Sequence, residues 1–259
     1  MNYIATDFIY DGVPSEKFGL FLCNLDETGS QEYDSCGNVD VHLVKTARMT
    51  RNYLAGVSYT DEYSFEFIIG SRSPLDKFDQ DIILKWLVGA NSFKNLQIIQ
   101  GDMDSVGFNC IFTEPQIVAY GNLPYAIKLT ALCDRPYALT KINTYKYSNL
   151  SQQITHINNS LHNVVTLPVL SFICNKANGN VSIKNRSNDN WTSEFVGLQL
   201  NEKITIDNQL QTITSSLGRK VLSTFNKHWF ELVPKINLIE VTGNTSAIEI
   251  KYADAKFIG

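Results

Sequence analysis

The sequence lacks the short motifs that identify many enzymes. It has no G-x-S-x-G elbow, no P-loop, no G-x-G-x-x-G fingerprint and no H-E-x-x-H pair. These are the usual signatures of serine hydrolases, phosphate-binding NTPases, dinucleotide-dependent enzymes and zinc proteases. We therefore predict no catalytic residues and no cofactor.

Long apolar runs and a signal peptide are also missing. The longest apolar stretches, such as PVLSFIC at 168–174, are far below the roughly 18 residues that span a bilayer. The opening MNYIATDFIYDG lacks the basic start and the apolar segment of a secretory signal. The pattern predicts a protein without membrane insertion that is made in a cytoplasm, and that stays there or leaves by a route that reads no signal.

Cysteines are few and show no pairing pattern. Five occur, an odd number, and none belongs to a C-x-x-C pair. This argues against a disulfide framework or a zinc knuckle, so we expect buried thiols. The cysteines are Cys23, Cys36, Cys110, Cys133 and Cys174.

A basic surface is missing as well. Residues 1–138 contain 10 Lys+Arg and 18 Asp+Glu, a net charge of −8, whereas residues 139–259 contain 12 and 8, a net charge of +4. Nucleic-acid binding requires a clustered basic surface, so neither part is predicted to bind phosphates. The length of 259 residues and the 44% of hydrophobic residues allow two domains with real cores. We place them at 1–138 and 139–259.

The first domain is predicted to be mainly β. Several stretches alternate apolar and polar residues between turn residues, as half-buried antiparallel strands do. We expect a split β-barrel-like domain with one α-helix. The predicted strands cover residues 18–25, 39–46, 63–70, 96–100, 106–113 and 126–133.

The helix is predicted within SRSPLDKFDQDIILKWLVGA, at 71–90. Ser73 can act as the N-cap, Pro74 fits the first helical position and Asp76 the capping box. Gly89 would end the helix. Apolar residues at helical spacing form one face, which we expect to pack into the core. They are Leu75, Phe78, Ile82, Ile83, Trp86 and Leu87.

The second domain is predicted to begin with an irregular junction and to continue as a β-sandwich or jelly roll. Residues 139–166 are rich in Asn, Ser and Thr, and they lack the alternation of apolar and polar residues that indicates strands. After Pro168, short alternating stretches recur at about ten-residue spacing without a helix signal. They are PVLSFIC, GNVSIKN, SEFVGLQL, EKITID, QTITSS, KVLSTF, HWFELV, INLIEV and SAIEIKY.

No metal site is predicted. Asp102 and Asp104 lack the further oxygen ligands of a calcium loop, so we interpret them as part of a hairpin turn. The acidic stretch 26–40 is interpreted as a mobile loop. The four histidines are scattered, and their spacing has little metal specificity. They are His42, His156, His162 and His228.

The stretch HWFELVPKINLIEVTGN, at 228–244, contains adjacent aromatic residues. Alternation places Phe230 and Leu232 on the interior face of a strand and Trp229 on the other face. We therefore interpret the stretch as a hairpin, and Pro234–Lys235 favours a type I turn.

One candidate function is a carbohydrate-binding module that contacts a saccharide on a cell surface. Exposed aromatic residues commonly stack on sugar rings, and the candidates for a sugar or partner contact are Trp191 and Trp229. For Trp229, a contact with a neighbouring sheet or a partner is favoured over a sugar. Trp191 lies in the loop-like stretch RSNDNWTSE, which suits a sugar contact better. A glycosidase is less favoured, because it needs a carboxylate pair about 5–10 Å apart in a cleft. Most acids after residue 138 instead alternate with apolar strand residues, as solvent-facing charges do.

Two stretches of the first part resemble the phage distal tail protein family. FIYDGVPSEKFGLFLCNLD, at 8–26, resembles the start of these proteins, where an aromatic-x-Asn/Asp-Gly turn leads through a serine to F-G-L. LTALCDRPYA, at 129–138, resembles the end of the family's ring domain, with an acidic residue before Pro136 and Tyr137. The residues that carry the first match are Phe8, Tyr10, Asp11, Gly12, Ser15, Phe18, Gly19 and Leu20.

The second part resembles the galactose-binding-like or galectin-like sandwich that such tail proteins append. The matching stretches are GNVSIKNRSND, EKITID and HWFELVPKINLIEVTGNTSAIEIKY, the last with Trp229 and Phe230. The usual form of the last stretch has Gly where this chain has Lys235.

The resemblance implies a structural virion protein, the baseplate hub of a long-tailed phage. Six copies would form a hexameric ring at the tail tip, between the tail tube protein and the tail-tip and baseplate proteins, after assembly in the host cytoplasm. The sandwich domains would project outward. The acidic first part suits a channel through which the genome passes without specific binding, because an acidic wall repels phosphate.

Overall fold

The structure is a computed structural model that describes residues 7–23, 39–45, 50–59, 63–99, 106–161 and 164–256. The chain forms two compact units, Met1–Leu139 with Lys256–Gly259, and Thr140–Ala255. Antiparallel sheets dominate both units, and the described ranges contain one α-helix. The predicted mainly β class with one helix is confirmed. No helix in these ranges is long and apolar enough to cross a membrane.

The first unit is built on one antiparallel sheet. Its strands are β1 (Asp7–Tyr10), β2 (Val13–Pro14), β3 (Leu20–Leu22), β4 (Val39–Val44), β5 (Tyr53–Tyr59), β6 (Tyr63–Ser71), β7 (Lys94–Ile99), β8 (Val106–Tyr120), β9 (Leu123–Cys133) and β10 (Ala138–Thr140). The main sheet has the order β2-β1-β7-β8-β9-β6-β3, with β10 beside β8. Strands β4 and β5 form a separate two-stranded ribbon.

Aromatic rings fill the core of the first unit. Phe8 and Phe67 lie edge to face, 5.0 Å apart, and the rings of Tyr10 and Phe112 lie 4.8 Å apart. Edge-to-face and offset contacts of this kind stabilise a core beyond the area they bury.

Two cysteines of the first unit are buried thiols, whereas Cys23 is a free thiol that is only partly buried. Cys110 and Cys133 lie directly opposite each other on β8 and β9, and both are buried. Burial raises the pKa of the Cys133 thiol to about 12, which keeps it protonated. In the second unit Cys174 is also buried, so the prediction of buried thiols is confirmed for these three residues.

The helix α1 (Lys77–Val88) begins later than predicted. Its N-cap is Asp76, whose carboxylate accepts a hydrogen bond from the Asp79 N–H at 2.8 Å, so the assignment of Ser73 as N-cap was wrong. The cause is Leu75, which is buried and donates its N–H to the Pro124 carbonyl, outside the helix. The helix buries Ile83 and Leu87.

Phe78 does not belong to the buried face of α1, contrary to the prediction. It is 71% exposed. At 3.6 residues per turn, Phe78 lies about 140° around the helix from Ile83. Its aromatic character was misleading because apolar type alone does not fix the face.

The second unit is a sandwich of two antiparallel sheets. Its strands are β11 (Asn143–Tyr147), β12 (Ile154–Asn158), β13 (Val169–Cys174), β14 (Gly179–Asn185), β15 (Trp191–Leu198), β16 (Lys203–Asp207), β17 (Thr212–Ser215), β18 (Lys235–Gly243) and β19 (Thr245–Tyr252), and the short strand β20 (Ala255–Lys256) follows them in the chain. One sheet has the order β11-β19-β13-β16-β17 and the other β12-β18-β14-β15. Side chains of both sheets form one core, which includes Phe172, Ile183, Phe195 and Ile250.

The predicted irregular junction at 139–166 contains strands β11 and β12, so that part of the prediction was wrong. In β12 the buried positions alternate, as in any half-buried strand, but two of them are His156 and Asn158. Polar residues at inward positions concealed the alternation from a hydropathy pattern.

The predicted hairpin at 228–241 was wrong in its first strand. Within residues 226–234, Leu232 alone joins a ladder, through an isolated bridge to Thr166. The predicted strand KVLSTF contains a short 3-10 helix, Leu222–Thr224. Phe230 and Leu232 are nevertheless fully buried, so the alternation indicated burial without strand pairing.

Asparagine side chains replace the missing ladder. Asn208 accepts a hydrogen bond from the Phe230 N–H at 2.7 Å and donates to the Pro168 carbonyl at 2.5 Å. Asn237 accepts from the Val233 N–H at 2.9 Å and donates to the Val233 carbonyl at 2.8 Å. A primary amide both donates and accepts, so it can substitute for a strand neighbour.

Two further asparagines complete this arrangement. Asn185 donates to the Glu231 carbonyl at 2.8 Å, and Asn158 donates to the Val233 carbonyl at 3.2 Å. All four asparagines are buried. We call residues 226–234 with Asn158, Asn185, Asn208 and Asn237 the asparagine strap.

The turn at Pro234–Lys235 is not the predicted type I. Lys235 has φ of +70°, in the left-handed region, whereas a type I turn has negative φ at both central residues. The Asn237 amide holds both backbone groups of Val233 and thereby fixes this conformation.

A second polar cluster is buried around His156. The Tyr252 hydroxyl donates to the Ile157 carbonyl at 3.3 Å, so it accepts from His156 Nε2, at 2.9 Å. His156 Nδ1 then accepts from the Tyr147 hydroxyl at 2.7 Å. Burial lowers the pKa of His156 to about 4, so the ring is neutral at pH 7.

Replacing an asparagine of the strap should destabilise the protein. Asn237→Ala leaves the Val233 N–H without its acceptor and removes one of the two donors to the Val233 carbonyl, which keeps Asn158. We expect a loss of about 2–3 kcal/mol in the free energy of unfolding. Urea denaturation measures it. The control is Asn175→Ala, at an exposed asparagine, which should change stability by less than about 0.5 kcal/mol. Equal midpoints for both variants would contradict the role of the strap.

Lys235→Gly should stabilise the protein by about 1 kcal/mol, because glycine adopts the left-handed region without steric cost. The matched control is Lys203→Gly in the strand β16, which should lower stability by roughly 0.5–1 kcal/mol. Thermal unfolding of the two variants would then show shifts of opposite sign. A destabilised Lys235→Gly variant would argue against the left-handed turn.

Acidification should destabilise the protein through His156. The unfolded chain binds a proton near pH 6.5 and the folded chain only near about 4, so stability is complete above pH 6.5 and falls as the pH drops toward 4. The full loss corresponds to about 3 kcal/mol. Between pH 7 and pH 4 the urea midpoint should depend less on pH in His156→Gln than in the wild type. In the control His228→Gln, at an exposed histidine, the midpoint should change with pH as in the wild type. Parallel slopes in all three proteins would refute this.

Candidate functional site

The first motif residues form a tight turn at the start of the chain. Tyr10 and Val13 pair across the turn, and Asp11 and Gly12 have φ of +51° and +76°. Two left-handed residues are what a type I′ hairpin turn requires. Asp11 is held by its N–H to the Asn95 carbonyl at 3.0 Å.

The aromatic motif residues pack around Trp86 of α1. Trp86 Nε1 donates to the Tyr10 carbonyl at 3.3 Å, and the ring of Phe18 stacks on Trp86 at 4.7 Å. Gly19, at φ of +63°, turns the chain from the 3-10 helix Ser15–Phe18 into β3. These residues therefore build the interior of the first unit and do not present a binding surface.

The second motif ends β9 with a polar corner. Arg135 donates two hydrogen bonds to the Asp134 carboxylate, at 2.8 and 2.7 Å, and lies over the Tyr137 ring at 5.9 Å. Pro136 is buried. This corner also contributes internal structure.

The β4–β5 ribbon is the largest exposed apolar feature among the described residues of the first unit. Leu43 pairs with Leu54, and Val44 with Tyr53, so neighbouring pairs project from opposite faces. Together with Val41 these side chains are between 48% and 64% exposed. A half-buried strand was predicted at 39–46, and β5 was missed. The sequence did contain a signal for apolar side chains on both faces. Leu43 with Val44, and Tyr53 with Leu54, are adjacent apolar residues, which break the alternation of a strand with one buried face.

Trp229 and Phe230 belong to the interior of the second unit. Phe230 is fully buried, and Trp229 is partly buried with its ring edge-on to Phe225 at 5.0 Å. Trp229 therefore packs against the core with one part of its ring and remains partly exposed.

Trp191 lies on the surface with His228. The rings are stacked 4.8 Å apart at 30°, and Trp191 Nε1 donates to the Trp229 carbonyl at 2.8 Å. Trp191 is 40% exposed. Of the two predicted sugar contacts, the structure leaves Trp191 accessible and brings His228 beside it.

Three acidic residues of the second unit are held by basic partners. Glu202 is fully buried and accepts two hydrogen bonds from Arg219, at 2.9 and 3.0 Å. Although burial favours the protonated form, hydrogen bonds from Arg219, the Gln199 N–H and Ser215 hold the pKa of this carboxyl below its usual value. Glu240 and Glu249 also pair with basic side chains. These contacts give the carboxylates structural roles.

The described residues contain no group of three His, Cys, Asp or Glu side chains that could hold a metal ion. His42, His156 and His228 are among the residues searched. Several predictions concern residues outside the described ranges. They are those on Cys36, Asp102, Asp104, His162 and most of the acidic stretch 26–40.

The fold is similar to two solved phage structures. One is the Dit protein of phage SPP1, presented as a paradigm of the hub adsorption apparatus in phages that infect Gram-positive bacteria. It matches with a TM-score of 0.70 and 12% identity over 95% of this chain and 98% of that chain. The other is a chain of the phage P2 baseplate in its activated conformation with Ca, with a TM-score of 0.53 and 10% identity over 99% and 100%. At these identities the likeness concerns the fold.

No curated protein matches the chain significantly. Two family models do match: the phage tail protein N-terminal domain over residues 3–135 and the phage tail C-terminal domain over residues 137–252. The resemblance predicted from residues 8–26 and 129–138 is therefore confirmed, and the chain belongs to the family of phage tail proteins that these two models describe.

Proposed function

We propose that six copies of this chain close a ring at the distal end of a phage tail tube. The ring links the tube protein to the tail-tip and baseplate proteins and has no catalytic role. The ring-forming part is 1–138, and the sandwich of 139–259 projects outward. The observation that carries this proposal is the β4–β5 ribbon.

The ribbon needs a partner to be stable. An isolated two-stranded ribbon is marginal in water, and this one exposes apolar side chains on both faces. Within the described residues no third strand pairs with either of its edges. A neighbouring copy of the chain would cover both faces and the edges at once, and cyclic closure repeats that contact around the ring.

The charge of the first part fits a channel for the genome. Its net charge of −8 disfavours adsorption of phosphate, so DNA can pass through the ring without specific binding. Ring assembly in the reducing cytoplasm of the host agrees with the free thiols of the described cysteines. The finished ring would be located at the tip of the virion tail.

Charges on the ribbon should prevent ring formation. Leu43→Glu with Leu54→Glu places two like charges opposite each other on one face, which an apolar contact cannot accommodate. We expect the wild type to form six-membered rings by light scattering and negative-stain imaging, and the variant to remain a folded monomer with similar thermal stability.

The matched control is Leu210→Glu, an exposed leucine of the second unit, which should form rings normally. A wild type that stays monomeric at every concentration would contradict the proposal. Rings of unchanged mass in the doubly charged variant, or a ring with a basic bore, would do so too.

A further inference from the structure

We infer that the surface around Trp191 is a saccharide-binding site, and that its ligand is a neutral or amino sugar and not an acidic one. The site is formed by Trp191, His228, Asn188 and Glu231. It lies within the second unit and is separate from the β4–β5 ribbon, so it adds a function that the ring itself does not require.

The aromatic surface is fixed before any ligand arrives. The Trp191 ring is held by its Nε1 bond to the Trp229 carbonyl and by stacking on His228. Its backbone N–H donates to the Asn188 carbonyl at 2.7 Å. A rigid, accessible indole offers apolar area to the C–H face of a sugar ring at little entropic cost.

Polar groups with free acceptor atoms adjoin this ring. Asn188 Nδ2 donates to one oxygen of Glu231, at 3.3 Å. The other Glu231 oxygen and the Asn188 side-chain oxygen have no partner in the described part of the chain. His228 Nδ1 lies 3.2 Å from the Thr192 carbonyl, which can only accept, so Nδ1 donates this hydrogen bond and helps to fix the ring.

The chemistry of these atoms selects the ligand. Both free oxygens, one of Glu231 and one of Asn188, accept hydrogen bonds, so the ligand must donate them, as sugar hydroxyls and ammonium groups do. A carboxylated sugar would meet the Glu231 carboxylate and be repelled.

The three tryptophans of the chain make the test direct. Each indole N–H gives one resonance in a ¹H–¹⁵N spectrum, and Trp191→Phe identifies its own. We expect millimolar N-acetylglucosamine oligomers to shift the Trp191 resonance and leave those of Trp86 and Trp229 in place. Glucosamine oligomers should bind more tightly, and hyaluronan oligomers should have no effect.

Variants separate binding from folding. Trp191→Ala should weaken binding by roughly 30-fold, the size of a hot-spot truncation, with unchanged thermal stability. Glu231→Gln should remove the preference for glucosamine over N-acetylglucosamine. Tyr120→Ala, at an exposed aromatic of the first unit, is the control and should bind as the wild type.

The outcome distinguishes this site from the ring. Trp191→Ala protein should still assemble rings, because the ribbon is intact. A Trp191 resonance that none of the three sugars moves, or that hyaluronan moves most, would overturn the saccharide site and leave the proposed ring untouched.

Discussion

The structure of the second unit depends on hydrogen bonds from buried asparagine amides. Residues 226–234 cross the sandwich without a strand ladder, and Asn208 and Asn237 supply the donors and acceptors that a neighbouring strand would have given. An unpaired backbone group at this depth costs several times what a typical hydrogen bond contributes. The strap therefore lets Phe230 stay buried, and it positions the Trp229 carbonyl that holds Trp191. The position of Trp191 on the candidate saccharide surface therefore depends on these buried hydrogen bonds.

The first unit relies on a different device. Its opening motif is a turn that places Tyr10 and Phe18 against Trp86, so the segment most typical of the family is a packing element. The surface that we propose for assembly is the β4–β5 ribbon, which carries none of the motif residues. In this domain, the residues that carry the family resemblance are therefore different from those of the proposed contact.

Sequence patterns predicted the fold class and most strands because alternation follows directly from burial on one face. They failed where that rule has exceptions. Strand β12 was missed since His156 and Asn158 occupy inward positions, and HWFELV was predicted as a strand although side chains satisfy its backbone. The left-handed turn at Lys235 is set by the hydrogen bond from Asn237 to Val233 and not by the turn propensity of Pro-Lys. Of the candidate site, Trp191 was found from its loop context, but His228 beside it required the fold.

The ribbon also constrains how such a protein is made. Until a partner covers it, each protomer carries an apolar surface and two strand edges that any other chain can extend. If the proposed rings close through this ribbon, the pool of free protomers must stay small, since crowding would favour disordered aggregates over rings. Yield would depend on matching the rate of synthesis to the rate of closure, and gene dosage becomes as important to the tail as the strength of any single contact.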